Sequence, residues 1–450
     1  MKQKNSLMLR TFKLVFLSGT ASGLLVMNGG CRHTPEPAEK EFSSAEQTFT
    51  FGARAQEQKK QEERSRQKEI EQLRRAAEQG NSKAQVRLGQ HYFNGTKLFE
   101  KNRKQAAHWF RRAARQGNPV GQFNYAICLD AGQGVAKDPE AAFKWYLKAA
   151  DSGVLPAQVN AALTYEARKN FPKAFHYYML AAKQGHVAAT RKVAIYLEKG
   201  QGTDKNLQQA VKFFRKAAET GDARAQVRMA GFYRNGIGVP QDYARMLSYL
   251  WLAAGQGDPE AWAKIGWAYK YGVGLNKEPR EAFKWFRQAA NAGYAPAQVA
   301  LGNAYIEGQG TEADPETAVE WFQKAAQQDN ASAMFSLGVA YRLGRGLPEN
   351  PEKAVDWFKK AAANKHAEAM YNLGHCYQQG IGIERDPSEA VKWFRRASAF
   401  DNPKALYALG KAYLTGTGIA QNQAQAEFYL QKAAKLGSAE ARKLLDENFR

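Results

Sequence analysis

A pair of adjacent alanines recurs at a nearly constant interval along most of this 450-residue chain. The steps between successive pairs are 37, 36 and 32 residues, followed by seven steps of 36 residues. The pairs begin at Ala76, Ala113, Ala149, Ala181, Ala217, Ala253, Ala289, Ala325, Ala361, Ala397 (where Ser398 replaces the second alanine) and Ala433. A regular period of this length is typical of a solenoid, in which each repeat packs only against its neighbours.

Each period contains two helical patterns separated by turns. In the period 295–330, Ala297 and Leu301 are four residues apart and fall on one face of a first helix. Gly308 follows this pattern, and glycine readily adopts the left-handed backbone with which many helices end. Asp314 precedes a proline and a second apolar pattern, an order typical of a helix N-terminus. The sequence therefore predicts an all-α chain built from helix pairs.

The two halves of the period read A-x-x-x-L-G-x-x-Y-x-x-G-x-G-V and A-x-x-W-F-x-x-A-A-x-x-G. Over residues 82–438 these motifs resemble the Sel-1-like repeat, a relative of the tetratricopeptide repeat. The resemblance implies an alpha-alpha superhelix of about ten antiparallel helix pairs that acts as a scaffold for protein complexes. Two units depart from the motif: the first lacks the second loop glycine after Gly95, and the third, from Leu155, is four residues short.

The N-terminus has the pattern of an export signal. Basic residues precede an apolar stretch at 14–27, which is too short to span a bilayer comfortably. Gly29 and Gly30 then precede Cys31, and small residues before a cysteine resemble a bacterial lipoprotein signal. The resemblance implies lipidation of Cys31 and a periplasmic protein that is anchored to a bacterial membrane. The alternative is an ordinary signal peptide, with Cys31 as a spare thiol.

The predicted organisation has five segments. Residues 32–47 are turn-rich or lack an apolar period, whereas the sequence from Glu57 is a polar helical pattern of Glu, Gln, Lys and Arg. The segments are a signal peptide at 1–30, a flexible tether at 31–56, a leading helix at 57–80, ten Sel-1-like repeats at 81–438 and a C-terminal capping helix at 439–450.

The composition restricts the chemistry. Lys and Arg number 65 against 43 Asp and Glu, so the formal net charge is +22 and acidic partners are favoured. An exported chain does not meet the chromosome, so no nucleic-acid partner is expected. The seven histidines show no H-x-x-x-H spacing, and the loop glycines precede no G-K-[ST] motif. The sequence therefore predicts no catalytic residue, no metal site and no cofactor.

Three functions are compatible with these patterns. The first is a non-catalytic scaffold of the bacterial envelope that holds partner proteins along its helical-repeat surface. The second is a cell-wall glycan binder or envelope enzyme, which is supported by the positive charge and the aromatic content. The third is a cytoplasmic regulatory repeat protein whose leader has been misread. We expect the first.

One column of residues is a candidate surface for binding a protein partner. The residue before the Leu-Gly position of each first helix lies outside the apolar stripe, and by resemblance to tetratricopeptide repeats the first helices line the concave face. Six consecutive units place Arg, Lys or Asn there, and these side chains donate hydrogen bonds to acidic groups. We call this set the groove column: Arg87, Asn124, Asn160, Lys192, Arg228 and Lys264. The alternative is a solvated face of a basic protein.

Overall fold

A computed structural model of the chain describes the backbone of residues 44–96 and 99–449 and the side chains of 57–96 and 99–449. The chain divides into two compact units, Met1–Gln72 and Leu73–Arg450. The described residues of the first unit form one helix, α1. This helix covers Ser44–Glu78, so its last residues belong to the second unit. The second unit is an all-α solenoid of ten helix pairs, numbered here as repeats 1 to 10, which confirms the predicted fold class.

Every repeat consists of a first and a second helix of 12 or 13 residues. The first helices are α2 (Ser82–Asn94), α4 (Pro119–Ala131), α6 (Leu155–Ala167), α8 (Val187–Lys199), α10 (Ala223–Asn235), α12 (Pro259–Tyr271), α14 (Ala295–Glu307), α16 (Ala331–Leu343), α18 (Ala367–Gln379) and α20 (Pro403–Thr415). The second helices are α3 (Arg103–Arg115), α5 (Pro139–Asp151), α7 (Phe171–Lys183), α9 (Leu207–Glu219), α11 (Tyr243–Gly255), α13 (Pro279–Asn291), α15 (Pro315–Ala326), α17 (Pro351–Ala363), α19 (Pro387–Ser398) and α21 (Gln423–Lys435). The array ends with α22 (Ala439–Asn448).

The helix boundaries follow from the capping residues. Asp314 accepts a hydrogen bond from the Thr317 amide at 3.0 Å, so its carboxylate satisfies one of the free N–H groups of α15. Gly308 ends α14 with a φ of 64°, in the left-handed region that favours glycine. Ser438 caps α22 through its hydroxyl, which accepts from the Ala441 amide at 3.2 Å. These contacts confirm the predicted starts and stops.

Small residues let the two helices of a repeat approach closely. A Cβ built on Gly302 of α14 would lie 2.5 Å from Cε1 of Phe322, closer than two carbons can pack. Phe322 is almost completely buried, as is the alanine pair Ala325 and Ala326 on the same helix. The same glycine–aromatic contact occurs at Gly338 with Phe358. Stacking of such layers forms a core that runs from repeat to repeat, because one pair cannot bury its own apolar face.

The leading helix starts earlier than the sequence predicted. Its backbone is helical from Ser44, whereas the prediction placed a tether up to residue 56 and the helix from 57. No proline follows Pro37 until Pro119, and Ala, Glu and Gln in this segment favour a helix. The signal peptide, Cys31 and the remainder of the predicted tether lie outside the described residues. Among the described helices, none combines the length and apolarity needed to cross a bilayer.

Candidate functional site

The groove column lies on the first helices, and its members differ in accessibility. Arg87 and Arg228 are exposed, whereas Lys192 and Lys264 are each about one-third exposed. Asn160 is half-buried. Asn124 is 6% exposed and its amide nitrogen has no hydrogen-bond partner, so this residue is inside the fold rather than on a free surface.

Lys192 forms an ion pair with the preceding repeat. Its Nζ lies 2.8 Å from Oε1 of Glu166, at the end of α6, and the Tyr178 hydroxyl donates to Oε2 of the same carboxylate at 2.5 Å. Burial on its own raises the pKa of Glu166, but the hydrogen bonds from Lys192 and Tyr178 outweigh it and hold the pKa below its usual value. The charge of Lys192 is therefore largely neutralised within the protein.

The next two cations of the groove column also have acidic neighbours. Arg228 pairs with Glu198 of α8, which is the preceding first helix. Lys264 turns back to Glu260 on its own helix, with Nζ 3.3 Å from Oε1. Three of the four cations in the column thus form internal ion pairs, which sequence reasoning missed because the acids lie on other turns or other repeats. Binding of a partner at this column stays a prediction, and Arg87 has no ion pair with the described residues.

A cavity of about 750 Å³ opens on the first helices of repeats 4, 5 and 6. Its charged lining carries five cationic and three acidic side chains, and Ile195 and Ile237 supply apolar surface. Ile237 is 40% exposed, so it is available to a bound side chain. The charged lining residues are Arg191, Lys199, Lys205, Arg224, Arg228, Glu198, Asp258 and Glu260. This cavity contains one member of the groove column and lies beside two more, and it is the strongest candidate site in the described part of the chain.

A buried network of glutamines joins neighbouring helices. Gln298 of α14 donates to the Ala290 carbonyl at 3.2 Å and accepts from Gln328 at 2.9 Å. The same Gln–Gln contact occurs between Gln226 and Gln256 at 2.9 Å. Because these bonds satisfy buried polar groups and join neighbouring helices, we assign them to stability. Glutamine at the same place in five of the ten periods is the signal that could have revealed them.

The buried cysteines have no catalytic arrangement. Cys128 and Cys376 are both buried and free, and nearly seven repeats separate them along the chain. Burial raises the pKa of the Cys128 thiol to about 12, which keeps it protonated and unreactive. Among the side chains that the structure describes, no group of three or more His, Cys, Asp or Glu residues could hold a metal ion.

The second helices carry tryptophans that are covered by cations. Nζ of Lys324 lies 4.1 Å from the ring centre of Trp321, and Lys360 covers Trp357 at the same distance. In repeat 5 the equivalent cation is replaced by Leu252, which is 56% exposed. Each ring is partly buried against the core, and its outer face is covered by the stem and charge of a surface residue.

The comparisons with known proteins agree with this architecture. The family model described as Sel1 repeat matches ten segments: 82–118, 119–154, 157–186, 187–222, 223–258, 259–294, 295–330, 331–366, 367–399 and 403–438. No curated protein matches the chain. Among solved structures, the chain is similar to c5321, a protective antigen of uropathogenic Escherichia coli with an SLR fold. The two are 30% identical with a TM-score of 0.53, over 85% of this chain and 91% of that chain. A Sel1 repeat protein from Oxalobacter formigenes is 23% identical with a TM-score of 0.47, over 84% of this chain and 89% of that one.

Proposed function

The chain belongs to the Sel1 repeat family, whose members generally mediate protein–protein interaction, and we propose that it is a non-catalytic scaffold of the bacterial envelope. The observation that carries the proposal is the cavity across α8, α10 and α12. It crosses three consecutive repeats, which suits an extended protein segment better than a small molecule. Its mixture of charged and apolar side chains is typical of a protein interface.

The proposed location in the periplasm, with a lipid anchor at Cys31, is supported by the sequence of the N-terminus. The similar protein from uropathogenic Escherichia coli is described as a protective antigen. We take that likeness as support for the proposal that this chain is exported. A lipid on Cys31 would hold the chain at a membrane surface.

Co-purification tests the scaffold. The full-length chain, expressed in its own cells, is extracted from membranes with detergent and the bound proteins are identified by mass spectrometry. We expect a defined set of envelope proteins that is retained through purification. Recovery of the chain alone, under conditions that preserve other envelope complexes, would contradict a scaffold function.

Fractionation tests the anchor separately. The Cys31→Ser variant should leave the membrane fraction or accumulate as an uncleaved precursor, because serine cannot carry the lipid thioether. Cys128→Ser provides the matched control, since this thiol is buried and belongs to repeat 2 rather than to the N-terminal signal sequence. Identical processing and fractionation of Cys31→Ser and the wild-type chain would favour an ordinary signal peptide.

A further inference from the structure

Consecutive first helices are joined at one recurring pair of positions. The first position lies six residues after the groove-column position of one repeat. The second is the groove-column position of the next repeat, and side chains at the two positions contact each other. At the junction of repeats 3 and 4 this pair is Glu166 with Lys192, at 2.8 Å. At the junction of repeats 4 and 5 it is Glu198 with Arg228. The same two positions are again in contact between repeats 8 and 9, where Nη1 of Arg342 donates to the Asn372 side chain at 2.7 Å.

The two positions carry opposite charges at some junctions of the array and not at others. In repeats 3 and 4 the earlier position is acidic, and the next repeat supplies the cation. In repeat 6 the earlier position is Lys270, but the groove-column position of repeat 7 is Ala300, and Lys270 pairs instead with Glu307, at 3.7 Å. One junction has like charges at both positions. That junction lies between repeats 5 and 6, where the two positions are occupied by Arg234 and Lys264.

Among the described residues, neither cation forms an ion pair with an acidic side chain of the neighbouring first helix. Arg234 is exposed and forms no ion pair with any described residue, whereas Lys264 contacts only Glu260 on its own helix, at 3.3 Å. Like charges held at facing positions repel, and an anion placed between them relieves that repulsion. The junction between repeats 5 and 6 therefore has two cations at the paired positions and no acidic partner across the junction among the described residues.

The surroundings indicate what kind of anion fits. The cavity described above reaches Glu260, one turn from Lys264, and Ile237, three residues after Arg234. Glu198, Asp258 and Glu260 also line it, and they would repel a continuous polyanion such as a nucleic acid or an anionic cell-wall polymer. A protein segment with single, spaced carboxylates avoids that repulsion, and its apolar side chains can contact the exposed Ile237.

We infer that the junction of Arg234 and Lys264 binds a carboxylate side chain of an acidic segment in a partner protein. The inference rests on the proposed scaffold function and narrows it to one contact. It also changes the sequence-based prediction, since Lys192 and Arg228 are neutralised internally and Arg234, outside the groove column, becomes the principal cation. A guanidinium suits this role because it binds a carboxylate through two parallel hydrogen bonds.

One substitution separates this inference from a simple effect of net charge. In Arg234→Glu, the new carboxylate faces Lys264 as Glu198 faces Arg228, so this junction gains an ion pair. We expect the melting temperature to rise by about 1–2 °C while affinity for an acidic ligand falls about tenfold. The matched control is Lys411→Glu, an equal charge change at an exposed position of a first helix in repeat 10, which should leave affinity nearly unchanged.

The probe is a short fluorescein-labelled peptide of alternating glutamate and serine, and fluorescence anisotropy measures its binding to the full-length chain. A peptide with glutamine in place of glutamate should bind far more weakly. Absence of binding by the wild-type chain, equal loss in Arg234→Glu and Lys411→Glu, or a lower melting temperature of Arg234→Glu would each overturn the inference. Co-purification distinguishes it from the parent proposal: partners retained equally by Arg234→Glu contradict only the contact, whereas absence of any partner contradicts the scaffold.

Discussion

The side-chain amide of Gln116 donates a hydrogen bond of 2.8 Å to Oε1 of Gln85, and this contact joins the end of the second helix to the start of the first. Gln85 in turn donates to the Ala77 carbonyl at 2.9 Å, so a single buried side chain connects three helices. Four repeats contain the Gln–Gln pair. Repeats 8 to 10 instead have an apolar residue at the position equivalent to Gln85, namely Met334, Met370 and Leu406. The inter-helix contact is thus polar in much of the array and apolar at its C-terminal end.

Repeat 2 has only half of this contact, which leads to a first prediction. Gln122 is buried and its Oε1 accepts no hydrogen bond, because Ser152 occupies the position of the second glutamine. Ser152→Gln should supply the missing donor and raise the free energy of unfolding by about 0.5–1.5 kcal/mol. Thermal unfolding followed by circular dichroism measures the change. Thr220→Gln is the matched control, because it faces Thr190 rather than glutamine, and an equal gain there would contradict the assignment.

The glycine of the first helix yields a second prediction. Gly302→Ala places a methyl group 2.5 Å from the Phe322 ring, so the helices must separate or the ring must move. We expect a loss of about 1–3 kcal/mol in the free energy of unfolding, measured by chemical denaturation. In Gly231→Ala, also within a first helix, the new methyl meets nothing within 4 Å. That control should gain about 0.5–1 kcal/mol from helix propensity, and a loss of the same size at both sites would exclude ring contact as the cause.

The turn after the second helix gives a third prediction. Lys365 has a φ of 64° at a place where most repeats have glycine, a backbone conformation that is unfavourable for a lysine. Lys365→Gly should increase stability by up to about 1 kcal/mol, the relief of strain being partly offset by the greater freedom of glycine in the unfolded chain. Differential scanning calorimetry would detect the shift.

The replacement of glycine by lysine at the same turn of another repeat is the control for Lys365→Gly. Gly293 occupies the same turn of repeat 6 with a φ of 85°, and a Cβ there would meet nothing within 4 Å. Gly293→Lys should therefore destabilise the chain through its backbone alone. Unchanged stability of both variants would show that the turn conformation carries no cost.

Glu166 leads to a fourth prediction, which concerns pH. Although burial raises its pKa, the bonds from Lys192 and Tyr178 bring the folded-state pKa below the unfolded value of about 4.3. The stabilisation is complete above the unfolded pKa and is lost as the pH falls through the folded pKa. Glu166→Gln should cost about 1–2 kcal/mol at neutral pH, and the difference from the wild-type chain should disappear in acid.

Urea denaturation of both proteins across this pH range measures the difference. Glu140→Gln is the control, since Glu140 pairs with Arg168 at 2.6 Å but its side chain is 72% exposed. Its cost should stay below about 1 kcal/mol at neutral pH. A Glu166→Gln deficit that is constant from neutral to acid pH would mean that the carboxylate charge is unimportant.

The helix pairs could be predicted from the sequence because their causes are local. The caps at Asp314 and Gly308 depend on residue types within one turn of the helix end, and those types recur at each period. The closing helix with its cap at Ser438 followed from the same rules. The early start of α1 could not be predicted from the sequence, because a polar helix without an apolar stripe has no sequence signal for its first residue.

The amino-acid sequence by itself determined the number, order and spacing of the helices, since the period and the capping residues can be read directly from the order of residues along the chain. Only the tertiary structure decided which cations remain open to a partner. Lys192 is neutralised by Glu166, which lies 26 positions earlier in another repeat, whereas Arg234 has no such neighbour among the described residues. An ion pair depends on separations of a few ångströms between side chains, and those separations are set by how one repeat stacks on the next.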